Sequence, residues 1–96
     1  MIHTYFVYIT TNKYRTVFYI GITNNLSTRI EQHKSGEIEG FTKQYHTDIL
    51  VYYEKFQYID KAILREKQLK WWIRQKKIDL IKNSNPTMEE LVIDIL

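Results

Sequence analysis

The stretch Val17-Phe18-Tyr19-Ile20-Gly21-Ile22-Thr23-Asn24-Asn25-Leu26-Ser27-Thr28-Arg29 turns a strand into a helix, and the rest of the chain is organised around it. Its aromatic and β-branched opening is the composition of a strand. Gly21, at the strand's end, permits close approach to the backbone. Asn24 or Asn25 then offers a side-chain oxygen to the unpaired N–H groups of a helix over about 26–34, which Ser35-Gly36 ends. Upstream, Tyr5-Phe6-Val7-Tyr8-Ile9 is a run of the same kind. The polar residues 11–16 between them predict an antiparallel hairpin with a loop longer than the tightest turns. Downstream, a loop runs through Gly40 to His46, and Ile49-Leu50-Val51-Tyr52-Tyr53 is a third strand. From about Tyr58 to Lys76 the composition is helical, and Ile78 to Lys82 prolongs that helix or starts another. Asn83-Ser84-Asn85-Pro86 breaks it, and Thr87 caps a final short helix over about 87–94 that carries Leu91 and Val92. The order β-β-α-β-α-α describes an α+β domain, a small three-stranded antiparallel sheet flanked by helices. One domain over 1–96, with a core over about 3–82, is expected.

Composition narrows the function classes. The 96 residues are 44% hydrophobic and 26% charged, the balance of a globular chain and not of a disordered tail. Cysteine is absent, which excludes disulfides, thiolate zinc sites and a thiol nucleophile. The charge-free opening 1–12 is too short and too polar to span a bilayer and lacks the basic start of a signal peptide. The expected setting is cytoplasmic, with no membrane partner. The net charge of +3 is unevenly spread: residues 61–82 hold eight basic side chains against Glu66 and Asp79. Such a segment points to a polyanionic partner, nucleic acid first, or to a solvated lysine-rich helix face.

Several polar residues fall on apolar faces. On a helical wheel Glu66 shares a side with Ile59, Ala62, Ile63, Leu69 and Ile73. A carboxylate there is costly unless it is paired, protonated or bound to a cation. Lys70, one turn later, offers the pairing. Arg29 and His33 share a face beside Leu26 and Ile30, and a guanidinium next to an imidazole suits a phosphate. Tyr8 and Tyr19 sit on neighbouring strands, where cross-strand packing and chemistry are both open readings. The basic face of residues 61–77, with Trp71 and Trp72, offers contacts to a nucleic-acid backbone or stacking on a base, but Trp71 and Leu64 lie opposite the Glu66 stripe and are expected to pack against the last helices. His3 and His46 read as isolated surface or turn residues.

Taken in order, these elements resemble the GIY-YIG nuclease family. Phe6-Val7-Tyr8 stands where the first signature element falls, and Tyr19-Ile20-Gly21 is the second. The spacing from Tyr19 to Arg29 is the family's, and His33 falls where members carry Tyr or His. The segment Tyr52-Tyr53-Glu54-Lys55-Phe56, followed by Ala62 through Trp71, resembles the one holding the family's metal-binding glutamate, which maps it onto Glu66. The resemblance covers about residues 3–92. It is greatest to small stand-alone members related to the nuclease domain of the bacterial excision-repair C subunit. Three positions depart from the pattern. Phe6 replaces Gly, and Ile22 replaces a Lys of the excision-repair enzymes. Asn85-Pro86 resembles an Asn-Pro element of small members, but Met88 stands for the usual Trp, so a helix-terminating turn is the expected role of Asn85.

The resemblance implies a metal-dependent endonuclease that hydrolyses DNA phosphodiester bonds with one Mg²⁺ or Mn²⁺ and tyrosine assistance, in DNA repair. It assigns the metal to Glu66 and the phosphate to Arg29. His33 becomes a donor or proton relay, Tyr8 the general base, and Tyr19 its orienting neighbour. Tyr8 acts either as a phenolate or by passing its proton on through water or His33. Gly21, Lys67, Lys70 and Arg74 are the expected nucleic-acid contacts. Structured or single-stranded DNA is the expected substrate, with a protein partner for targeting. The competing readings are a non-catalytic nucleic-acid-binding module on the same fold and a protein-interaction domain using exposed aromatics.

Overall fold

The two aromatic runs pair with each other. In the computed structural model, which describes residues 3–37 and 40–93 (side chains at 41 and 42 excepted), β1 (Tyr5–Thr11) and β2 (Phe18–Thr23) are antiparallel. Their register sets Tyr8 opposite Gly21 and Thr10 opposite Tyr19. The hairpin loop is built on Asn12, whose Oδ1 accepts from the backbone N–H of Thr16 at 2.8 Å and of Val17 at 3.2 Å. β3 (Ile49–Phe56) pairs antiparallel with the other side of β1, with a bulge between Ile9 and Thr10. The sheet order is β2-β1-β3.

Alternation along β1 divides the core in two. Phe6 and Tyr8 pack with Leu50 and with Leu26 and Ile30 of α1 (Leu26–Ser35) on one face. Val7 and Ile9 pack on the other with Ile20 and Val51, against α3 (Ile59–Trp71) and α4 (Arg74–Ser84). The expected element order and α+β class are present. α1 is capped as its sequence dictates: Asn25 Oδ1 accepts from Thr28 N at 3.1 Å, and Gly36 closes the helix at φ 76°, where glycine carries no steric penalty. α2 (Phe41–Tyr45) is one short helix inside the segment expected as a loop.

The long helix is shorter than expected. Instead of running to about Lys76, it stops at Trp71, and Trp72 and Ile73 are extended with ψ of 144° and 158°. The break turns Ile78, Leu80 and Ile81 of α4 back onto the core, and Trp72 lies between Arg65 and Lys76, 5.1 and 4.3 Å from the ring centroid. Packing overrides propensity here, and no Gly or Pro marks the position. The apolar stripe of α3 is also narrower than the wheel suggests. Ala62 and Leu69 are buried, whereas Ile59, Ile63 and Ile73 are exposed, so Glu66 stands at the margin of the stripe and not at its centre. Trp71, expected to pack inward, is 88% exposed, and Leu64 also faces solvent.

Residues 88–93 form no helix; Asp94, the expected last residue of one, lies outside the described residues. The reason is a set of bonds that a helix could not keep. Asn85 Nδ2 donates to Val51 O at 3.1 Å and to Glu89 O at 2.8 Å, Asn85 Oδ1 accepts from Glu89 N, and Leu91 N donates to Leu50 O at 2.8 Å. Asn85 does terminate α4, as expected, and also fastens the tail to β3.

α3 is locked to β3 by a two-pronged ion pair. Arg65 Nε and Nη2 each donate to Glu54 at 2.9 Å, and the Tyr52 hydroxyl donates to the same carboxylate. Burial raises the Glu54 pKa, but the Arg65 fork and the Tyr52 hydroxyl overcome it and leave the carboxyl below its usual value. The Tyr52 phenol, desolvated and facing that carboxylate, is pushed up to about 12. Arg65→Ala strands a half-buried carboxylate, and a loss of about 2 kcal/mol in urea unfolding is expected. An unchanged midpoint would show that the pair adds nothing to stability.

Candidate active site

Three rings meet on the α1 face of the sheet. Tyr8 comes from β1, Tyr19 from the neighbouring β2, and His33 from the last turn of α1. Ring centroids are 5.6 Å apart for Tyr8 and His33, 5.4 Å for Tyr19 and His33, and 6.1 Å for the two tyrosines. Helical spacing puts Arg29 one turn before His33 on the same face.

The hydrogen bonds of His33 fix its tautomer. Nδ1 lies 3.0 Å from the Thr47 carbonyl, which only accepts, so Nδ1 carries the proton. In the neutral ring Nε2 is then a bare acceptor, and the Tyr8 hydroxyl, 3.0 Å away, donates to it. The phenol proton thus points into an imidazole lone pair. Burial drives the Tyr8 pKa well above its usual value, an effect that the neighbouring Arg29 guanidinium only partly offsets. Burial likewise holds His33 below 6.5, assisted by the charge of Arg29 against the raising influence of the Thr47 bond. Both groups are therefore neutral near pH 7.

A pH dependence follows. The folded state resists protonating His33, while the unfolded chain takes up a proton near 6.5. Stability should therefore be flat above that pH and fall as pH drops below it, until the folded-state pKa is reached. Chemical unfolding at a series of pH values checks this against His33→Gln, whose curve should lack that inflection.

Gly21 has a steric duty. A Cβ placed on it would overlap the Tyr8 phenol, lying 2.5 Å from Cζ. The close approach expected at this glycine is real, but on the Cβ side the approaching group is Tyr8 and not a nucleic acid. Gly21→Ala is expected to destabilise the fold by about 2 kcal/mol by overpacking. A wild-type unfolding midpoint would show that the phenol yields freely.

Arg29 supplies an unmatched donor. Its Nη1 donates to Gln32 Oε1 at 3.3 Å, while its Nε is shielded from solvent and has no hydrogen-bond partner among the described residues. A buried donor left open is costly, and an anionic oxygen beside Tyr8 would satisfy it.

The structure brings Tyr8, Tyr19, Arg29 and His33 together on the α1 face. Glu66 stands on α3, across the sheet from α1. It is paired with Lys70 at 3.4 Å, the pairing that the sequence offers as the alternative to a cation. Lys70 is 54% exposed, however, and an exposed i, i+4 pair contributes only tenths of a kcal/mol, roughly 0.3–0.5. α3 packs against β2, and Lys70 lines a cleft at the β2 edge together with Tyr19. That edge is where the two faces of the sheet meet. Among the described residues no group of three or more His, Asp or Glu side chains could hold a metal ion. A single carboxylate fits a hydrated Mg²⁺, which keeps several waters, and does not fit a cation enclosed by protein ligands. Lys67, Lys70 and Arg74 are all exposed, and Arg74 sits over the Phe18 ring at 5.4 Å. His3 and His46 are exposed, as expected.

Of two further partners, one is not legible in the sequence and the other is. Thr47 acts through its carbonyl, which every residue possesses. Gln32 could have been found from its i, i+3 spacing to Arg29.

Comparison with known proteins agrees with this geometry. The model of the GIY-YIG catalytic domain family matches residues 4–79. A UPF0213 protein of Staphylococcus haemolyticus is 35% identical over 78 residues, covering 81% of this chain and 94% of that protein. A UPF0213 protein of Staphylococcus aureus is 36% identical over 64 residues, covering 67% and 78%. The solution NMR structure of a UPF0213 protein from Bacillus halodurans superimposes with a TM-score of 0.58 at 28% identity, covering 91% of this chain and 92% of that one.

Proposed function

We propose, on the premise that this chain belongs to the GIY-YIG catalytic domain family among its small UPF0213 members, that it is an endonuclease hydrolysing DNA phosphodiester bonds with Mg²⁺ or Mn²⁺. The observation that carries the reading is the buried Tyr8 hydroxyl donating to a His33 whose tautomer is fixed by Thr47. That pair can accept a proton from water without forming a free phenolate. As the water oxygen bonds to phosphorus, its proton passes to the Tyr8 oxygen and the phenol proton to His33 Nε2. The Thr47 carbonyl stabilises the imidazolium through Nδ1–H. The Arg29 guanidinium donates to a non-bridging oxygen and offsets its growing charge, while Tyr19 buttresses both rings. A divalent cation at Glu66 would supply positive charge to the phosphate as the leaving oxygen departs.

A cytoplasmic setting, a role in DNA repair and a protein partner for targeting belong to the same reading. Among the described residues no helix is long and apolar enough to cross a membrane. The Glu66–Lys70 pair favours one alternative, a nucleic-acid-binding module without catalysis. A nicking assay on supercoiled and branched DNA separates them. Cleavage with Mg²⁺ or Mn²⁺ and none with a chelator is expected. Salt-sensitive binding without cleavage under any divalent cation would leave only the binding module.

A further inference from the structure

The outer edge of β2 has no strand partner among the described residues, and two clefts lie along it. They share Phe18 and Lys77. One, of about 290 Å³, adds Tyr19 and Lys70, and the other, of about 330 Å³, adds Tyr45 and Arg74. Together they make one trough from Tyr19 to Tyr45, with aromatic side chains and cations and, among the described residues, no carboxylate in its lining, although Lys70 is paired with Glu66 beside it. Its form depends on the break at Trp72-Ile73, because α4 starts there and carries Arg74 over Phe18, with Lys77 one turn on.

We infer that this trough is a track for an unpaired nucleic-acid strand leading to Tyr19. The inference rests on the nuclease reading for the track's destination, and on the trough alone for its occupant. Arg74 and Lys77, with Lys70 shared with Glu66, leave a net positive trough that selects a polyanion. The aromatic side chains then select among polyanions. In a duplex the bases stack on one another and present only their edges and phosphates. An unpaired strand presents base faces, which stack on aromatic rings regardless of sequence. Tyr45, 42% exposed at the far end, is the most exposed ring of the trough. Arg74, steadied on Phe18, is the phosphate contact at the middle.

The test is fluorescence anisotropy on the full chain, in chelator so that nothing is cleaved. The probes are a labelled oligothymidine and a duplex of equal length. The single strand should bind at least about tenfold more tightly than the duplex. Arg74→Ala/Lys77→Ala should weaken single-strand binding about tenfold and flatten the slope of log K against log salt by about 1.4, the value for two lost phosphate contacts. Tyr45→Leu should weaken it about tenfold with the slope unchanged, and Tyr45→Phe should restore it. Circular dichroism melts confirm that each variant is folded. Equal affinity for the duplex, an unaltered slope in the double variant, or equal competition by polyglutamate would each overturn the track. Nicking is scored separately. Strand preference without any cleavage would remove the nuclease reading and leave the track, and cleavage without strand preference would do the reverse.

Discussion

Glu66→Gln is expected to reduce DNA nicking by about a thousandfold or more while leaving the fold intact. The substitution keeps the size of the side chain and removes only its charge. The structural cost is small, because the carboxylate lies at the margin of the apolar stripe and its lysine partner is largely exposed. The catalytic cost is large if a cation is held there. Several kcal/mol of charge stabilisation at the phosphate disappear, and about 4 kcal/mol corresponds to a thousandfold. Supercoiled-plasmid nicking against the wild type measures it, with a thermal melt beside it. Equal cleavage by both proteins would mean a contaminant or a different site.

Tyr8→Phe is expected to lower cleavage by roughly a hundred- to ten-thousandfold, the range for a lost acid–base group. The phenyl ring still fills the space above Gly21, so packing survives. What disappears is the one donor to His33 Nε2, whose lone pair is then buried and unpaired at a cost of about 1–3 kcal/mol. Residual cleavage in this variant should lose any dependence on the His33 titration, since the relay through that ring is cut. Near-normal turnover would remove Tyr8 from the mechanism.

Local physics made much of this legible before any coordinates. The β1–β2 hairpin, the Asn25 cap, the Gly36 stop and the third strand all rest on short-range rules, and all are present. So is the convergence of Tyr8, Tyr19, Arg29 and His33, because strand pairing and helical spacing bring those four together. The failures share one cause. The break at Trp72, the exposure of Trp71 and Ile63, and the extended tail after Asn85 are set by what packs against α3 and β3. A helical wheel assumes one continuous cylinder and one buried direction. α3 is clamped by Arg65 to Glu54, and its buried direction is displaced from the centre of its apolar residues. Glu66 was therefore singled out by a wheel that placed it too deep.

Alternation along β2 has a consequence for how such a domain can change. Successive residues there face opposite layers, so the Tyr8–Tyr19–His33 cluster and the α3 helix that carries Glu66 draw their support from separate cores. Substitutions in one layer need not disturb the other. Ion preference could drift through changes in α3, and the pH optimum through changes in α1, each at its own pace.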